Sequence, residues 1–115
     1  MKKIHNYKIN MQNNKGETLL HYACYFGFID KFYALIDFGA NIKTVTNNNN
    51  NLLHYCCAGK KDDFLVIELI KMGILPSEKN DYGQDSFHFS YNERTSYYLN
   101  LWAKRNNMNL INDID

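Results

Sequence analysis

The chain has little net charge and little arginine. Lys and Arg total 13 against 12 Asp and Glu, a net charge of +1 over 115 residues, so no broad field of one sign draws nucleic acid or an anionic membrane surface. Eleven of the basic residues are lysine and two are arginine, and bidentate recognition of phosphates and bases is chiefly arginine chemistry. Lys2, Lys3, Lys60, Lys61, Lys104 and Arg105 are scattered and offset by acids. Apolar runs are only a few residues long, so no membrane span is expected. The opening MKKIHNYKIN is positive but has no apolar segment behind it, and it does not read as a secretory signal peptide. Cysteine is sparse and odd in number: Cys24, Cys56 and Cys57 sit where packed helix faces are expected. That argues against a disulfide framework and for a reducing, cytoplasmic compartment. There is no Gly-rich phosphate loop, no dinucleotide fingerprint and no nucleophile on a strained elbow. No catalytic residue, metal or cofactor is expected.

What is present is ordinary for one globular domain: 45% apolar and 22% charged residues, in a chain long enough to bury a core. Asparagine is frequent at 17, which fits AT-rich coding DNA and warns against reading a function into each one. The informative feature is self-similarity. His21, His54 and His88 are 33 and 34 residues apart, Gly39 and Gly73 are 34 apart, and Gly16 and Gly83 are 67 apart. On these marks GETLLHYAC, NNNLLHYCC and GQDSFHFSY align. A repeat of 33–34 residues indicates a helical solenoid.

The clearest unit spans 14–41. Gly16 suits a turn with positive φ, and its equivalent in the second copy is Asn49, the residue that best replaces glycine in the left-handed region. Thr18 is placed to cap a helix carrying Leu20, Ala23 and Cys24 on one face. Gly27 breaks it. Ile29, Phe32, Leu35 and Ile36 have the spacing of a second amphipathic helix, which Gly39 ends.

The pattern of Gly16, Thr18, Leu20, His21, Ala23, Gly27, Leu35, Ile36, Gly39, Ala40 and Asn41 resembles the ankyrin repeat, with Leu19 where that family usually has proline. The resemblance covers roughly 13–105. It implies an all-α solenoid of about three helix-turn-helix units: an N-terminal cap or arm at 1–12, repeats at 13–45, 46–78 and 79–105, and a tail at 106–115. The second copy has Asn51 for threonine, an extra residue that suits a looser turn around 58–63, and Pro76 in its link onward. The third has Asp85 and Ser86 for the Thr-Pro pair, Ser90 and Tyr91 for the small pair, and a second helix expected over 95–105 with Tyr98, Leu101 and Trp102. A bulky last copy suits a capping repeat, with Phe32, Phe87 and Trp102 read as core.

His21, His54 and His88 together with Cys24, Cys56 and Cys57 could be written as a zinc set. Each histidine recurs once per repeat, however, and the resemblance implies that each ties its own helix start to the neighbouring turn. Asp85 and His88 read as a helix-start cap rather than an acid–base pair. Cys57 reads as a small buried residue. Tyr22, Tyr55 and Phe89 are expected to pack between repeats. Tyr25 and Phe26 stand at positions that the resemblance puts on the concave face, and they either meet a partner or pack on the N-terminal arm.

The resemblance implies a non-enzymatic module that binds another protein through its concave face and hairpin tips. The matching contact positions are Asn14, Lys15, Glu17, Tyr25 and Phe26 in the first copy, Asn47, Asn48, Asn50 and Ala58 in the second, and Asp81, Tyr82, Gln84, Asn92 and Glu93 in the third. Tyr25, Phe26 and Tyr82 are the expected anchors. Effector, inhibitor and immunity-type roles all fit such a module, acting as a monomer or weak homo-oligomer with no nucleic acid or membrane partner. A self-associating structural or assembly protein is the main alternative, and a metal- or thiol-dependent enzyme using the histidine and cysteine positions is the other.

Overall fold

The left-handed turn positions set the frame. In the computed structural model, which describes residues 6–59, 64–89 and 93–105, Gly16 has φ +83° and Asn49 has φ +64°. A side chain at residue 16 would lie 2.6 Å from the backbone nitrogen of Asn47, so the glycine also lets consecutive turns approach. Consecutive hairpins are joined by backbone bonds: Asn47 N–H donates to the Lys15 carbonyl at 3.0 Å and Asp81 N–H to the Asn48 carbonyl at 2.9 Å.

Helices fill the space between these turns. α1 is Asn6–Ile9, α2 Leu19–Phe26, α3 Ile29–Asp37, α4 Leu52–Ala58, α5 Phe64–Lys71 and α6 Glu93–Arg105, with a 3-10 turn at Ser86–Phe89. The described residues contain no strand. α2 packs on α3 and α4 on α5 as hairpin pairs, while α2 against α4 and α4 against the 3-10 turn make the stack. Leu20, Ala23 and Cys24 of α2 meet Leu52, Leu53, Cys56 and Cys57 of α4 in one core, with Phe32, Leu65, Val66 and Leu69 behind them.

The two histidines inside the stack are the cross-links. The Thr18 N–H donates to His21 Nδ1 at 3.0 Å, so the ring proton sits on Nε2, which donates to the Asn50 carbonyl at 3.2 Å. One repeat on, the Asn51 N–H points at His54 Nδ1 at 3.0 Å, and His54 Nε2 donates to the Gln84 carbonyl at 2.9 Å. Asn51 does the capping expected of threonine, accepting from the His54 N–H at 2.9 Å. With both nitrogens of each ring engaged inside the stack, His21 and His54 are structural. His88 is exposed. Cys24, Cys56 and Cys57 are buried thiols.

Several expectations need correction. The third copy opens with a four-residue 3-10 turn rather than a full α-helix. There the Asp85 carboxylate accepts from the Phe87 N–H at 3.1 Å, a cap as expected. α6 starts at Glu93, not at 95. Its buried residues among those described are Leu99 and Ala103, one turn apart; Leu101 is exposed and Trp102 only half-buried, because the i, i+4 row of 99 and 103 faces the stack. Phe87 is half-buried but packs against the core as expected. Tyr22 is exposed rather than packed between repeats, since its helix belongs to the first pair, whereas Tyr55 and Phe89 meet the preceding histidine edge-on: His21–Tyr55 at 4.7 Å and His54–Phe89 at 5.5 Å. Within the N-terminal segment, Asn6–Ile9 form a short helix with Ile9 buried and Met11 after it exposed, held because the Asn41 N–H donates to the Asn10 side chain at 2.8 Å. The expected loose turn at 58–63 and the tail at 106–115 lie largely or wholly outside the described residues.

Candidate functional site

Glu17 lies where the first hairpin enters α2. Its Oε1 accepts from the Asn13 amide and from the Tyr22 hydroxyl, both at 2.8 Å. Its Oε2 accepts from the hydroxyl of Tyr55 in the next repeat at 2.5 Å. The Tyr55 hydroxyl first, then the Asn13 amide, hold the carboxyl at about 2, well below its ordinary 4.5. Burial first, then the Glu17 hydrogen bond, push the Tyr55 phenol well above its ordinary range. The group is therefore an anion at any physiological pH, and among the described residues no cation pairs with it.

Beside it runs a shallow groove of about 320 Å³, bounded by Glu17, Tyr25, Asn50, Tyr55, Ala58 and Phe89, with His54 at its floor. The groove follows from the stack: residues at the end of α2 and α4 face the same side because the two helices repeat in register. Gly59 permits the close approach. A β-carbon there would sit on the Tyr25 carbonyl, with the carbonyl carbon at 2.9 Å, although the backbone at Gly59 is an ordinary extended one. Tyr25 packs edge-on against Tyr55 at 6.4 Å and against Phe26 at 5.0 Å.

The expected site residues divide. Glu17, Tyr25, Asn50 and Ala58 come together in the groove. Phe26 is 42% exposed but stacks on Phe28 at 5.6 Å and does not line the groove. Tyr82, 69% exposed, stands on the third hairpin tip. The asparagine run is largely engaged internally. Asn47 donates to the Asn14 carbonyl at 2.8 Å, Asn49 donates to Asp81 Oδ1 at 2.6 Å, and the Asn50 side chain accepts from Asn80 at 2.8 Å. Asn48 gives its carbonyl to Asp81. Gln84 takes His54 on its carbonyl and Asn80 on its side chain. Asn14 and Lys15 remain exposed on the first tip. Asn92 lies outside the described residues, and Glu93 begins α6. Tyr55, His54 and Phe89 were not among the expected contacts. The recurrence of an aromatic after each histidine was the available signal, but Tyr55 reaching Glu17 across 38 residues is a tertiary event.

A second concavity, of about 360 Å³, lies on the outer side of the first helix pair. It is almost wholly apolar, between Leu19, Tyr22, Phe28, Leu35 and Phe38, and Lys31 covers the Phe28 ring at 5.3 Å. Among the described residues no group of histidine, cysteine and carboxylate side chains is arranged to hold a metal, and no helix is long and apolar enough to cross a membrane.

A family model described as ankyrin repeats (3 copies) matches residues 1–80, well over half of the sequence, and the chain belongs to the ankyrin-repeat family. No curated protein matches it. Ankyrin repeats generally serve as protein–protein interaction modules, and the family is typically non-enzymatic.

Proposed function

We propose that this ankyrin-repeat protein is a non-enzymatic module that holds a protein partner in the groove between the first and second repeats, with the hairpin tips at its rim. The observation that carries this reading is the exposure of Tyr25, at 39%, on the wall of a groove whose residues Glu17 and Tyr55 are fixed by their mutual hydrogen bond, with Phe26, at 42%, exposed against Tyr25. Exposed aromatics on a rigid wall add contact area with little ordering on binding. Tyr82 on the third tip is a further anchor. A module of this kind acts by occupying a target's surface, as an inhibitor, effector or immunity-type protein does, and three buried cysteine thiols suit a reducing cytoplasm. The test is affinity capture from native or host cells with mass-spectrometric identification, comparing wild type with Tyr25→Ala/Phe26→Ala. A target captured by the wild type and lost by the folded double variant is expected. Undiminished capture by the variant would remove the groove from the interface.

The apolar concavity at Leu19, Tyr22 and Phe28 favours a second reading, self-association through that face. Light scattering of wild type and Phe28→Asp decides it. Mass that rises with concentration only in the wild type supports assembly, and a constant monomer mass dismisses it.

A further inference from the structure

We infer that the groove is built to take a lysine ammonium from the partner, with Glu17 as its counter-ion and the rings of Tyr25 and Tyr55 as its walls. This deepens the reading above and rests on it.

An ionised carboxylate offers about four acceptor positions. Oε1 of Glu17 uses two, for Asn13 and Tyr22, and Oε2 uses one, for Tyr55. The position left is on Oε2, the oxygen nearest Tyr55, which itself lines the groove. All three donors are neutral, so they hold the carboxylate in place without cancelling its charge. Lys15 adds only a weak, longer-range attraction, and no described residue forms an ion pair with Glu17.

A single free acceptor selects among cations. A guanidinium is best held by two parallel acceptors, whereas an ammonium is a compact point charge that one oxygen serves. The remaining N–H groups of the ammonium need electron-rich surroundings. Tyr25 and Tyr55, 6.4 Å apart and inclined at 70°, form an aromatic corner beside the carboxylate, the environment in which cations gain from ring faces. Charge at the far end has the same sign: Asp85 and Glu78 lie close enough to act on His54, while His54 itself is kept neutral by burial. The groove is thus an aromatic trough under net negative potential, closed to a partner carboxylate and poorly matched to a purely apolar side chain.

The experiment is selection from a random peptide library displayed on phage, against folded wild type, Tyr25→Ala/Phe26→Ala and Glu17→Gln. Tyr25→Leu is a second probe that keeps bulk and removes the ring at an exposed site, so the outcome does not depend on Glu17→Gln folding well. Recovered peptides are then synthesised with lysine or norleucine at the shared position and measured by fluorescence anisotropy at low and high salt. The expected result is a lysine at one fixed position in the wild-type peptides. Affinity should fall about tenfold or more on its replacement by norleucine, and by a similar factor in Glu17→Gln and Tyr25→Leu, and should weaken with salt. Peptides that need Tyr25 and Phe26 but share no lysine would overturn the ammonium assignment and leave the groove reading standing. Arginine at the shared position, equal to or better than lysine, would overturn it too. Peptides indifferent to Tyr25 and Phe26, or no enriched peptide at all, would remove both.

Discussion

Replacing His54 by alanine tests the stack directly, because His88 supplies an internal control of the same chemistry. In the wild type the His54 ring accepts from the Asn51 N–H at 3.0 Å and donates to the Gln84 carbonyl at 2.9 Å, and its edge meets Phe89 at 5.5 Å. Alanine deletes all three contacts. The Asn51 N–H, at a residue only 3% exposed, is left buried without a partner, which costs about 1–3 kcal/mol. The bond to Gln84 adds about 1 kcal/mol, and the aromatic edge contact adds roughly 0.5 kcal/mol. The sum is about 3 kcal/mol, a large share of the stability of a small domain, and corresponds to a fall in Tm of about 12 °C for a chain of this length. His88 is exposed, and its ring makes no hydrogen bond with a described residue, so His88→Ala should cost under about 0.5 kcal/mol. Urea denaturation followed by circular dichroism at 222 nm reads the whole helical stack, and the single Trp102 in α6 reports the third repeat by fluorescence. His54→Ala should lower both midpoints, with the fluorescence transition shifted at least as far, since the lost bond joins the second repeat to the third hairpin. Equal losses for His54→Ala and His88→Ala, or a loss below about 1 kcal/mol for His54→Ala, would refute the cross-link argument.

Other consequences follow from the same structure. Burial lowers the folded pKa of His21 and His54 below 6.5, partly opposed by their carbonyl partners. The unfolded chain therefore binds protons first as pH falls, so the stabilisation is complete above pH 6.5 and is lost below it, where protonated Nδ1 would meet a backbone N–H. Urea midpoints measured from pH 8 to pH 5 should fall, and less steeply in His54→Ala. Gly59→Ala should destabilise by about 2 kcal/mol through collision with the Tyr25 carbonyl, not through backbone strain. A calorimetric Tm unchanged by that substitution would mean the two repeats stand further apart. Phe32→Ala, at a residue with 0% exposure, should cost about 3–5 kcal/mol, and Trp102→Ala, at a half-buried site, under about 2 kcal/mol; chemical denaturation of the pair checks the order.

The groove was half legible before its geometry was known. Tyr25, Glu17 and Ala58 line it together because the repeat register assigns them a face. Phe26 shares that register, yet its ring stacks on Phe28, a choice made by side-chain packing rather than by position. The asparagine run invited a reading as a polar contact surface. Asn47, Asn49 and Asn50 instead bond to neighbouring hairpins, because stacked turns bring their side chains within reach of one another even at exposed positions.

Sequence alone determined the repeat length, the helix starts and stops of the first helix pair, the left-handed turn positions at Gly16 and Asn49 and, through the repeat register, where His21 and His54 fall. These are local properties, since a positive φ, a capping residue or a helix period is dictated within a few residues and recurs with the repeat. Tertiary structure decided which face of α6 is buried, how far the third repeat departs from the first, and which residues meet across repeats. The Tyr55–Glu17 bond spans 38 residues, and its existence depends on how closely two helix pairs pack, which Gly59 and the small side chains between them control. The setting of the groove's charge is likewise a product of packing, which gathers three neutral donors around the Glu17 carboxylate.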